Sequence, residues 1–243
     1  MIDLHCHILP LVDDGSSGSE ESLLMLAKAA AAGTTVMVAT PHANLFSNND
    51  CLAEQMILDR IDQLRCAAQK ENLAIEILSG QEVCLEGNYR MLLQEGKFLS
   101  LNSSRYMLVE FDFRRNGKEA MERLSAVQTA GYVPVLAHPE RFSFLTKNRK
   151  HARHLKENEI LLQINSGSLF GEFGDNARET ALWMLENRLA DFVASDGHSP
   201  YRRIPVLENA HEYISERFSI EYADFLLEFN PNNLLHNKIL YNF

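Results

Sequence analysis

Met1-Ile2-Asp3-Leu4-His5-Cys6-His7 opens the chain, and this short apolar run carries two histidines one residue apart. The run predicts a β-strand. Side chains at positions i and i+2 of a strand point to the same side, so His5 and His7 can direct both imidazoles to one point beyond its carboxyl end. Two neutral imidazoles that converge make half of a transition-metal site. An ordinary buried strand with incidental histidines stays the alternative until ligands are found at other strand ends.

Six further apolar runs follow the first, and segments with helical periodicity separate most of them. The runs cover residues 35–40, 74–79, 106–111, 133–137, 161–165 and 191–195. Helices are predicted over residues 19–32, 52–71, 118–130, 204–217 and 220–228, and a last short helix begins at Asn230. Strands that alternate with helices indicate a parallel sheet. Seven such strands predict a single-domain α/β fold over residues 1–243, a TIM-like (β/α) barrel with one strand fewer than usual.

Composition and charge exclude several classes of protein. The formal net charge of −10 argues against a nucleic-acid binder or an anionic-membrane binder, because both classes use clustered Lys and Arg. No apolar run approaches the roughly 20 residues of a membrane span, and the N-terminus lacks the pattern of a signal peptide. The cysteines are scattered, which favours reduced thiols in a cytoplasmic protein. They are Cys6, Cys51, Cys66 and Cys84.

Side chains that can bind metals occur at or just beyond the ends of most of these runs. In a parallel barrel these ends lie on one face, where active-site residues of such folds are found. Four carboxylates and five imidazoles on one face would lose solvation and repel one another unless cations paired with them. The mixture indicates two or three catalytic ions, of Mn, Fe or Zn rather than Ca or Mg. The candidate ligands are His5, His7, Asp14, His42, Glu82, Glu110, His138, Asp196 and His198.

Arginines near two of these ligands indicate an anionic substrate. Arg141 follows His138 by three residues, and Arg202 and Arg203 come soon after His198. A guanidinium beside a metal cluster is repelled unless an anion lies between them, and arginine suits phosphate because it can bind two oxygens at once. The alternative is that an arginine pairs with a surface carboxylate, and this alternative is favoured for Arg202.

Several stretches together resemble the polymerase-and-histidinol-phosphatase (PHP) superfamily. Within it, they are most similar to bacterial protein-tyrosine phosphatases of the CpsB/YwqE type, from capsule and exopolysaccharide gene clusters. His-x-His alone is a weak motif, but the combination is specific. The stretches are Asp3-Leu4-His5-Cys6-His7, Val12-Asp13-Asp14-Gly15, Thr40-Pro41-His42, Gly80-Gln81-Glu82, Val109-Glu110-Phe111, Ala137-His138-Pro139-Glu140-Arg141, Gln163-Ile164-Asn165-Ser166, Ala194-Ser195-Asp196-Gly197-His198 and Asn230-Pro231.

The resemblance implies a distorted (β/α)7 barrel with a site for three divalent metal ions, usually manganese in that family. Arg141 and Arg203 match the family's phosphate-clamping arginines, although the loop over residues 199–201 departs from the family pattern before Arg203. The implied ligand sets are His5, His7, Glu82 and Asp196 for the first ion, Glu82, Glu110 and His138 for the second, and Asp14, His42 and His198 for the third.

The same resemblance implies that the substrate is the phosphotyrosine tail of a bacterial tyrosine autokinase. Metal ions that lower the pKa of bound water from ~15.7 toward ~7 would supply a nucleophile for in-line attack on phosphorus. Tyrosinate, with a reference pKa of ~10, leaves with less help from a general acid than an alkyl alkoxide needs. The chemistry therefore favours aryl phosphates over alkyl phosphates.

Three other interpretations stay open on sequence grounds. A small-molecule phosphatase, for example one for histidinol phosphate, would use the same ligands. A non-catalytic module could use the metals as a scaffold while it docks on a kinase. The third is a cysteine-based phosphatase, because Cys84-Leu85-Glu86-Gly87-Asn88-Tyr89-Arg90 fits a Cys-x5-Arg pattern. That chemistry needs a thiolate in a cradle of backbone N–H groups, where Glu86 would place a negative charge.

Overall fold

A computed structural model describes residues 1–44 and 54–243 of the chain. Its strands are β1 (Ile2–Cys6), β2 (Val36–Ala39), β3 (His42–Ala43), β4 (Glu76–Ser79), β5 (Glu82–Cys84), β6 (Tyr106–Glu110), β7 (Val133–Ala137), β8 (Leu161–Asn165) and β9 (Phe192–Ala194). All pairs are parallel, in a three-stranded sheet of order β1-β2-β4 and a six-stranded sheet of order β3-β5-β6-β7-β8-β9. Each predicted run contains a strand, which confirms the parallel α/β fold.

Two of the strand positions are interrupted, and this is why more strands form than were predicted. Pro41 separates β2 from β3, and proline lacks the N–H that a central strand donates. Gly80 and Gln81 separate β4 from β5. After both breaks the chain resumes in the second sheet, where His42 lies opposite Glu82. Neither β3 nor β5 was predicted, because strands this short show no alternating pattern.

The edge strands β1 and β9 of the two sheets are linked by two hydrogen bonds and one bridge. Asp196 N donates to His5 O at 2.9 Å, and His7 N donates to Gly197 O at 2.8 Å. Cys6 and Gly197 form an isolated parallel bridge. The contact is a single bridge and not a continuous ladder, so the barrel is distorted at this seam, as the resemblance implied. The seam brings the first ligand-bearing strand next to the last.

Helices cover the outside of the ring and one of its ends. They are α1 (Ser19–Ala31), α2 (Glu54–Lys70), α3 (Tyr89–Gln94), α4 (Gly117–Thr129), α5 (Ser143–Lys147), α6 (His151–Glu157), α7 (Ser166–Leu169), α8 (Asp175–Glu186), α9 (Glu208–Arg217), α10 (Ile220–Asp224) and α11 (Asn230–Leu235). A π-helical turn, Phe225–Phe229, joins α10 to α11. Within the described ranges, no helix is long and apolar enough to cross a membrane.

The helix predictions need three corrections. The helix predicted over 204–217 begins only at Glu208, because Pro205 disfavours helical geometry at the residue before it. The helix predicted over 220–228 changes to the π-helical turn at Phe225. Short helices such as α3, α5 and α7 were not predicted, because so few residues show no periodicity. Residues 52 and 53 of the predicted second helix lie outside the described residues, as does Cys51, while the other cysteines are free thiols.

The apolar side chains inside the barrel lie next to the predicted ligands. A buried cluster joins apolar side chains from several strands with α11, and includes Leu4, Leu108, Val135, Phe192 and Leu234. Tyr106 and Leu108 of β6 belong to this cluster, whereas Met107 and Val109 pack on the helix side. Because side chains alternate along a strand, Glu110 continues the inner row at the carboxyl end of β6. A dry apolar floor therefore lies beneath the polar end of the barrel.

Candidate metal centre

The structure brings all nine predicted ligands together at the carboxyl ends of the strands. Eight of them belong to three groups in which the ligand atoms lie within 4.8 Å of one another. The ninth, His138, places Nε2 2.8 Å from Glu82 Oε1. The three groups are His5, His7, Glu82 and Asp196; His42, Glu82 and Glu110; and His7, Asp14, His42 and His198.

The deepest group is the first set implied by the resemblance, and all four of its residues are buried. Glu82 Oε2 lies 3.2 Å from both His5 Nε2 and His7 Nε2. Asp196 Oδ1 lies 3.3 Å from His5 Nε2 and 3.4 Å from His7 Nε2. Four donor atoms therefore face a common point at the seam of the barrel.

Glu82 extends from this group toward β6 and β7. Its Oε2 atom also lies 3.1 Å from His42 Nδ1, and its Oε1 atom is the partner of His138. Glu110 places Oε1 3.3 Å from His42 Nδ1 and Oε2 3.8 Å from His138 Nε2. The two oxygens of Glu82 thus face different sets of ligands, which is the arrangement expected of a bridging carboxylate.

The outermost group opens to solvent through Asp14, whose side chain is 65% exposed. Asp14 Oδ1 lies 3.4 Å from His42 Nε2 and 3.5 Å from His198 Nε2. The rings of His7 and His198 lie 3.9 Å apart between centroids. This group therefore continues directly from the deep one and ends at the protein surface.

Several ligand atoms lack hydrogen-bond partners but are placed to bind cations. Glu82 Oε2, Asp196 Oδ1, His42 Nδ1 and His198 Nε2 are buried and have no hydrogen-bond partner among the described residues. Such orphaned atoms are costly in a folded protein. Ligands about 2.1 Å from one ion, at right or tetrahedral angles, are about 3.0–3.4 Å apart. The separations in the deep group, 3.2–3.4 Å, lie in this range.

Hydrogen bonds turn the Nε2 atoms of three histidines toward the ligand groups. His5 Nδ1 donates to Gln163 Oε1 at 2.8 Å, and His198 Nδ1 donates to the carbonyl oxygen of Asp196 at 2.9 Å. His7 Nδ1 donates to Asp13 Oδ2 at 2.7 Å. When Nδ1 carries the proton, the Nε2 lone pair is free for a metal, which is how metal-binding histidines are usually oriented.

Three residues that hydrogen-bond to the ligands were not predicted as functional residues. Asp13 stands next to the predicted ligand Asp14, so only one of the paired carboxylates was assigned. Gln163 and Asn165 end β8 with the same i, i+2 spacing as the histidines of β1, and Asn165 Nδ2 donates to Asp196 Oδ2 at 2.5 Å. Amides do not stand out as metal ligands, but that spacing at a strand end was a usable signal.

Carboxylates and imidazoles in the cluster shift one another's pKa values. Burial disfavours the charged form of His5, but the carboxylates of Glu82 and Asp196 outweigh it and raise the pKa of His5. Burial likewise disfavours ionised Glu82, but the imidazoles of His5 and His42 hold the pKa of Glu82 well below its usual value. Cations in the centre would supply this positive charge themselves, with the imidazoles neutral.

The backbone is strained where two ligands leave their strands. His138 follows β7 with φ 37°, and Asp196 lies just after β9 with φ 52°. Both values fall in the left-handed region that residues other than glycine rarely adopt, at a cost of order 1–3 kcal/mol each. Such strain persists where surrounding structure fixes the position, and both residues have buried side chains in the cluster.

Arg141 and Arg203 border the deep group at Asp196. The Arg203 guanidinium contacts Asp196 Oδ2, and Arg141 Nη1 lies 3.6 Å from the same oxygen. Arg141 Cζ lies 4.5 Å from the ring centroid of Phe113 and 4.4 Å from that of Phe173, and Arg203 Cζ lies 5.5 Å from Phe173. Phe173 therefore contacts both guanidiniums through cation–π interactions.

Arg202 differs from its neighbour. Its side chain is exposed, and the ion pair favoured for it from the sequence does not form within the part of the chain that the structure describes. Of the two adjacent arginines, Arg203 is the one that reaches Asp196. Arg202 lines a surface cleft beside the ligand groups instead.

The Cys-x5-Arg pattern does not form a phosphatase cradle. Cys84 lies in β5, where burial and the carboxylates of Glu110 and Glu86 raise its pKa to about 12. Glu86 pairs with Arg115 at 2.7 Å, while Arg90 donates to the carbonyl oxygen of Glu122 at 3.2 Å. Neither a thiolate nor a free arginine is available, so the hypothesis of a cysteine-based phosphatase is wrong.

Comparison with known proteins agrees with this geometry. The model of the family described as "Capsular polysaccharide synthesis, CpsB/CapC" matches residues 1–236. The chain belongs to the CpsB/CapC family. One relative is the tyrosine-protein phosphatase YwqE of Bacillus subtilis. It is 35% identical to this chain over 243 residues, and the match covers 99% of this chain and 94% of YwqE.

Solved structures extend the comparison to three dimensions. This CpsB/CapC chain superposes with a TM-score of 0.90 and 35% identity on a structure from a study of YwqE from Bacillus subtilis and CpsB from Streptococcus pneumoniae, described as unique metal-dependent tyrosine phosphatases. The match covers 100% of this chain and 97% of the other. A histidinol phosphatase homologue from Listeria monocytogenes matches at TM-score 0.50 with 12% identity, over 83% of this chain and 96% of the other, which shows the fold alone.

Proposed function

We propose that this chain is a metal-dependent protein-tyrosine phosphatase that holds three divalent ions, with manganese favoured and iron or zinc as alternatives. The observation that carries the proposal is the convergence of orphaned carboxylate oxygens and imidazole nitrogens next to two arginines. The family and its named relatives support the same activity. The proposal takes residues 1–243 as one domain, in keeping with the family match over residues 1–236.

The proposed ligand assignment keeps the sets implied by the resemblance, of which only the deep group coincides fully with a group in the structure. We assign Glu82 as the bridge between the first and second ions, because its two oxygens face different partners. Asp14 closes the third site at the surface. The full assignment is His5, His7, Glu82 and Asp196 for the first ion, Glu82, Glu110 and His138 for the second, and Asp14, His42 and His198 for the third.

The chain's own side chains account for binding and orientation. When bound, the ions lower the pKa of a water molecule and neutralise charge on phosphate oxygens. Arg141 and Arg203 bind the remaining phosphate oxygens, and Phe173 keeps both guanidiniums beside the centre. A tyrosinate leaving group, with a reference pKa of ~10, needs little protonation as the ester bond breaks. This accounts for hydrolysis of an aryl phosphate without a dedicated general acid.

The proposed substrate is the phosphotyrosine tail of a bacterial tyrosine autokinase. The description of the family as one of capsular polysaccharide synthesis supports a role in capsule or exopolysaccharide production. The proposal places the enzyme in the cytoplasm with the kinase tail, in keeping with the free thiols of Cys6, Cys66 and Cys84.

Turnover of the manganese-loaded protein on a phosphotyrosyl peptide tests the activity. His138→Ala should lower kcat/KM by about 100-fold or more, because it removes a metal-facing imidazole. The matched control is His154→Ala, because His154 is exposed on α6, and this variant should keep the kcat/KM of the wild type. Near-wild-type turnover in His138→Ala would contradict the scheme. Faster turnover of histidinol phosphate than of the peptide would favour the small-molecule alternative.

A further inference from the structure

A large cleft lies directly beside the candidate metal centre. Its volume is about 1010 Å³, at the upper end of the ~300–1,000 Å³ typical of pockets for drug-sized ligands. It shares His198, Asp14 and Arg203 with the centre and its border, so it is continuous with the place where phosphate would bind. A phosphotyrosine side chain alone would leave most of this space empty.

The cleft is lined by both polar and apolar residues, and three of the apolar side chains are large and exposed. Phe170, Tyr201 and Ile204 line it with exposed fractions of 50%, 70% and 37%. They come from the segments after β8 and β9, on the same face of the barrel as the ligand groups. Ligand pockets combine apolar and aromatic side chains with a few polar groups in this way.

The backbone of the loop that carries Tyr201 is held by side-chain hydrogen bonds. Ser199 Oγ accepts from Tyr201 N at 3.2 Å and from Arg202 N at 2.9 Å, and Lys28 Nζ donates to the carbonyl oxygen of Pro200 at 2.7 Å. These bonds fix the loop that carries Tyr201. Rigid aromatic side chains bind at a low cost in conformational entropy and often dominate interface energies.

Phe170 is fixed in a different way. Its ring packs edge-on against Tyr213 of α9 at 5.7 Å between centroids. It stands at the end of α7, where Phe170 N donates to Gly167 O at 3.1 Å. The Phe170 ring and the Tyr201 loop therefore border the same cleft with defined positions, although they belong to different segments of the chain.

We infer that this cleft is the docking surface for the polypeptide around the phosphotyrosine, and that Phe170 and Tyr201 hold an apolar side chain near it. The inference rests on the proposed function and deepens it. The occupant is a peptide segment because the cleft continues outward from the phosphate site and exceeds what the phosphotyrosine side chain fills. It also explains why the enzyme would prefer a protein substrate to a free phosphomonoester.

Three substrates test the inference on the metal-loaded protein. Two are phosphotyrosyl peptides of equal length, one with leucine and one with serine at the positions flanking phosphotyrosine, and the third is p-nitrophenyl phosphate. The wild type should prefer the leucine peptide by about tenfold in kcat/KM, mainly through KM. The double variant Phe170→Ser/Tyr201→Ser should lose this preference and hydrolyse p-nitrophenyl phosphate at a rate close to that of the wild type.

The control is the double variant Met91→Ser/Ile220→Ser, which changes two exposed apolar residues on other elements and should keep the preference. An unchanged preference in Phe170→Ser/Tyr201→Ser would overturn the inference. So would equal losses on all three substrates, or a wild type that does not distinguish the peptides. If the wild type hydrolyses p-nitrophenyl phosphate but neither peptide, the proposed function itself fails.

Discussion

Asp13 Oδ2 lies 2.7 Å from His7 Nδ1, so the loop after β1 orients the imidazole that two of the ligand groups share. The same oxygen accepts from His42 N at 2.9 Å. Asp13 belongs to none of the ligand groups, but its carboxylate thus fixes His7 and His42, which do. Removal of such a supporting partner typically weakens metal binding by 10–100-fold.

Asp13→Asn should therefore weaken manganese binding by about 10–100-fold while the fold is retained. Isothermal titration of metal-free protein with Mn²⁺ measures the effect. Asp112→Asn, which removes a surface carboxylate paired with Arg114, should bind manganese like the wild type. Equal affinities in the two variants would show that Asp13 does not orient the ligands.

Gly15 allows the loop with Asp13 to pack against β1. A Cβ atom at this position would lie 2.2 Å from His7 O and 2.4 Å from His7 Cβ. Gly15→Ala should therefore displace His7, lower stability by about 1–3 kcal/mol and reduce the metal content. Gly18→Ala is the matched control, because nothing lies within 4 Å of a Cβ there. Thermal unfolding with and without Mn²⁺ compares them, and identical curves would contradict the packing argument.

Phe173 should matter for phosphate affinity more than for the chemical step. Its ring contacts the guanidiniums of Arg141 and Arg203, and such contacts are worth about 0.5–2 kcal/mol. Phe173→Leu should raise the inhibition constant of inorganic phosphate about 2- to 30-fold and raise KM similarly, with kcat less affected. Phe229→Leu, near the opposite end of the barrel, is the control. A fall confined to kcat would assign Phe173 a different role.

Cys84 should be chemically inert and dispensable. With a pKa of about 12, its thiol is almost wholly protonated at pH 8, because the thiolate forms only as the pH approaches that value. Cys84→Ser should keep activity within about twofold, and iodoacetamide at pH 8 should modify exposed Cys66 in preference to Cys84. Peptide mass spectrometry reads the labelling. Loss of activity in Cys84→Ser would revive the thiol mechanism.

The strand plan and the ligand types could be predicted from sequence because both depend on short-range patterns. His5 and His7 share one face through the period of a strand, and the barrel topology placed Glu110 and His138 on the same end. The breaks at Pro41 and Gly80 left no alternating pattern beyond them, so β3 and β5 were missed. Helix α9 was predicted too long because apolar spacing at residues 204–207 resembled a helix despite Pro205.

The supporting residues around the ligands could not be predicted in the same way. The bond between Gln163 and His5 joins β8 to β1, and the contact of Phe173 with Arg141 joins loops distant in sequence. Such pairs depend on the arrangement of the strands in the barrel and not on any local spacing. The cleft with Phe170 and Tyr201 was missed for the same reason, because single exposed aromatic residues are common in sequences of soluble proteins.

The central claim is that this cluster holds three ions and that activity depends on them. Elemental analysis of the manganese-loaded protein, combined with phosphotyrosyl-peptide turnover on the same sample, tests it most directly. Glu82→Gln should retain at most the outer ion and lose activity, because Glu82 faces both inner positions. The wild type should contain three ions per chain and lose turnover on chelation. Full turnover after removal of all metal would contradict the account.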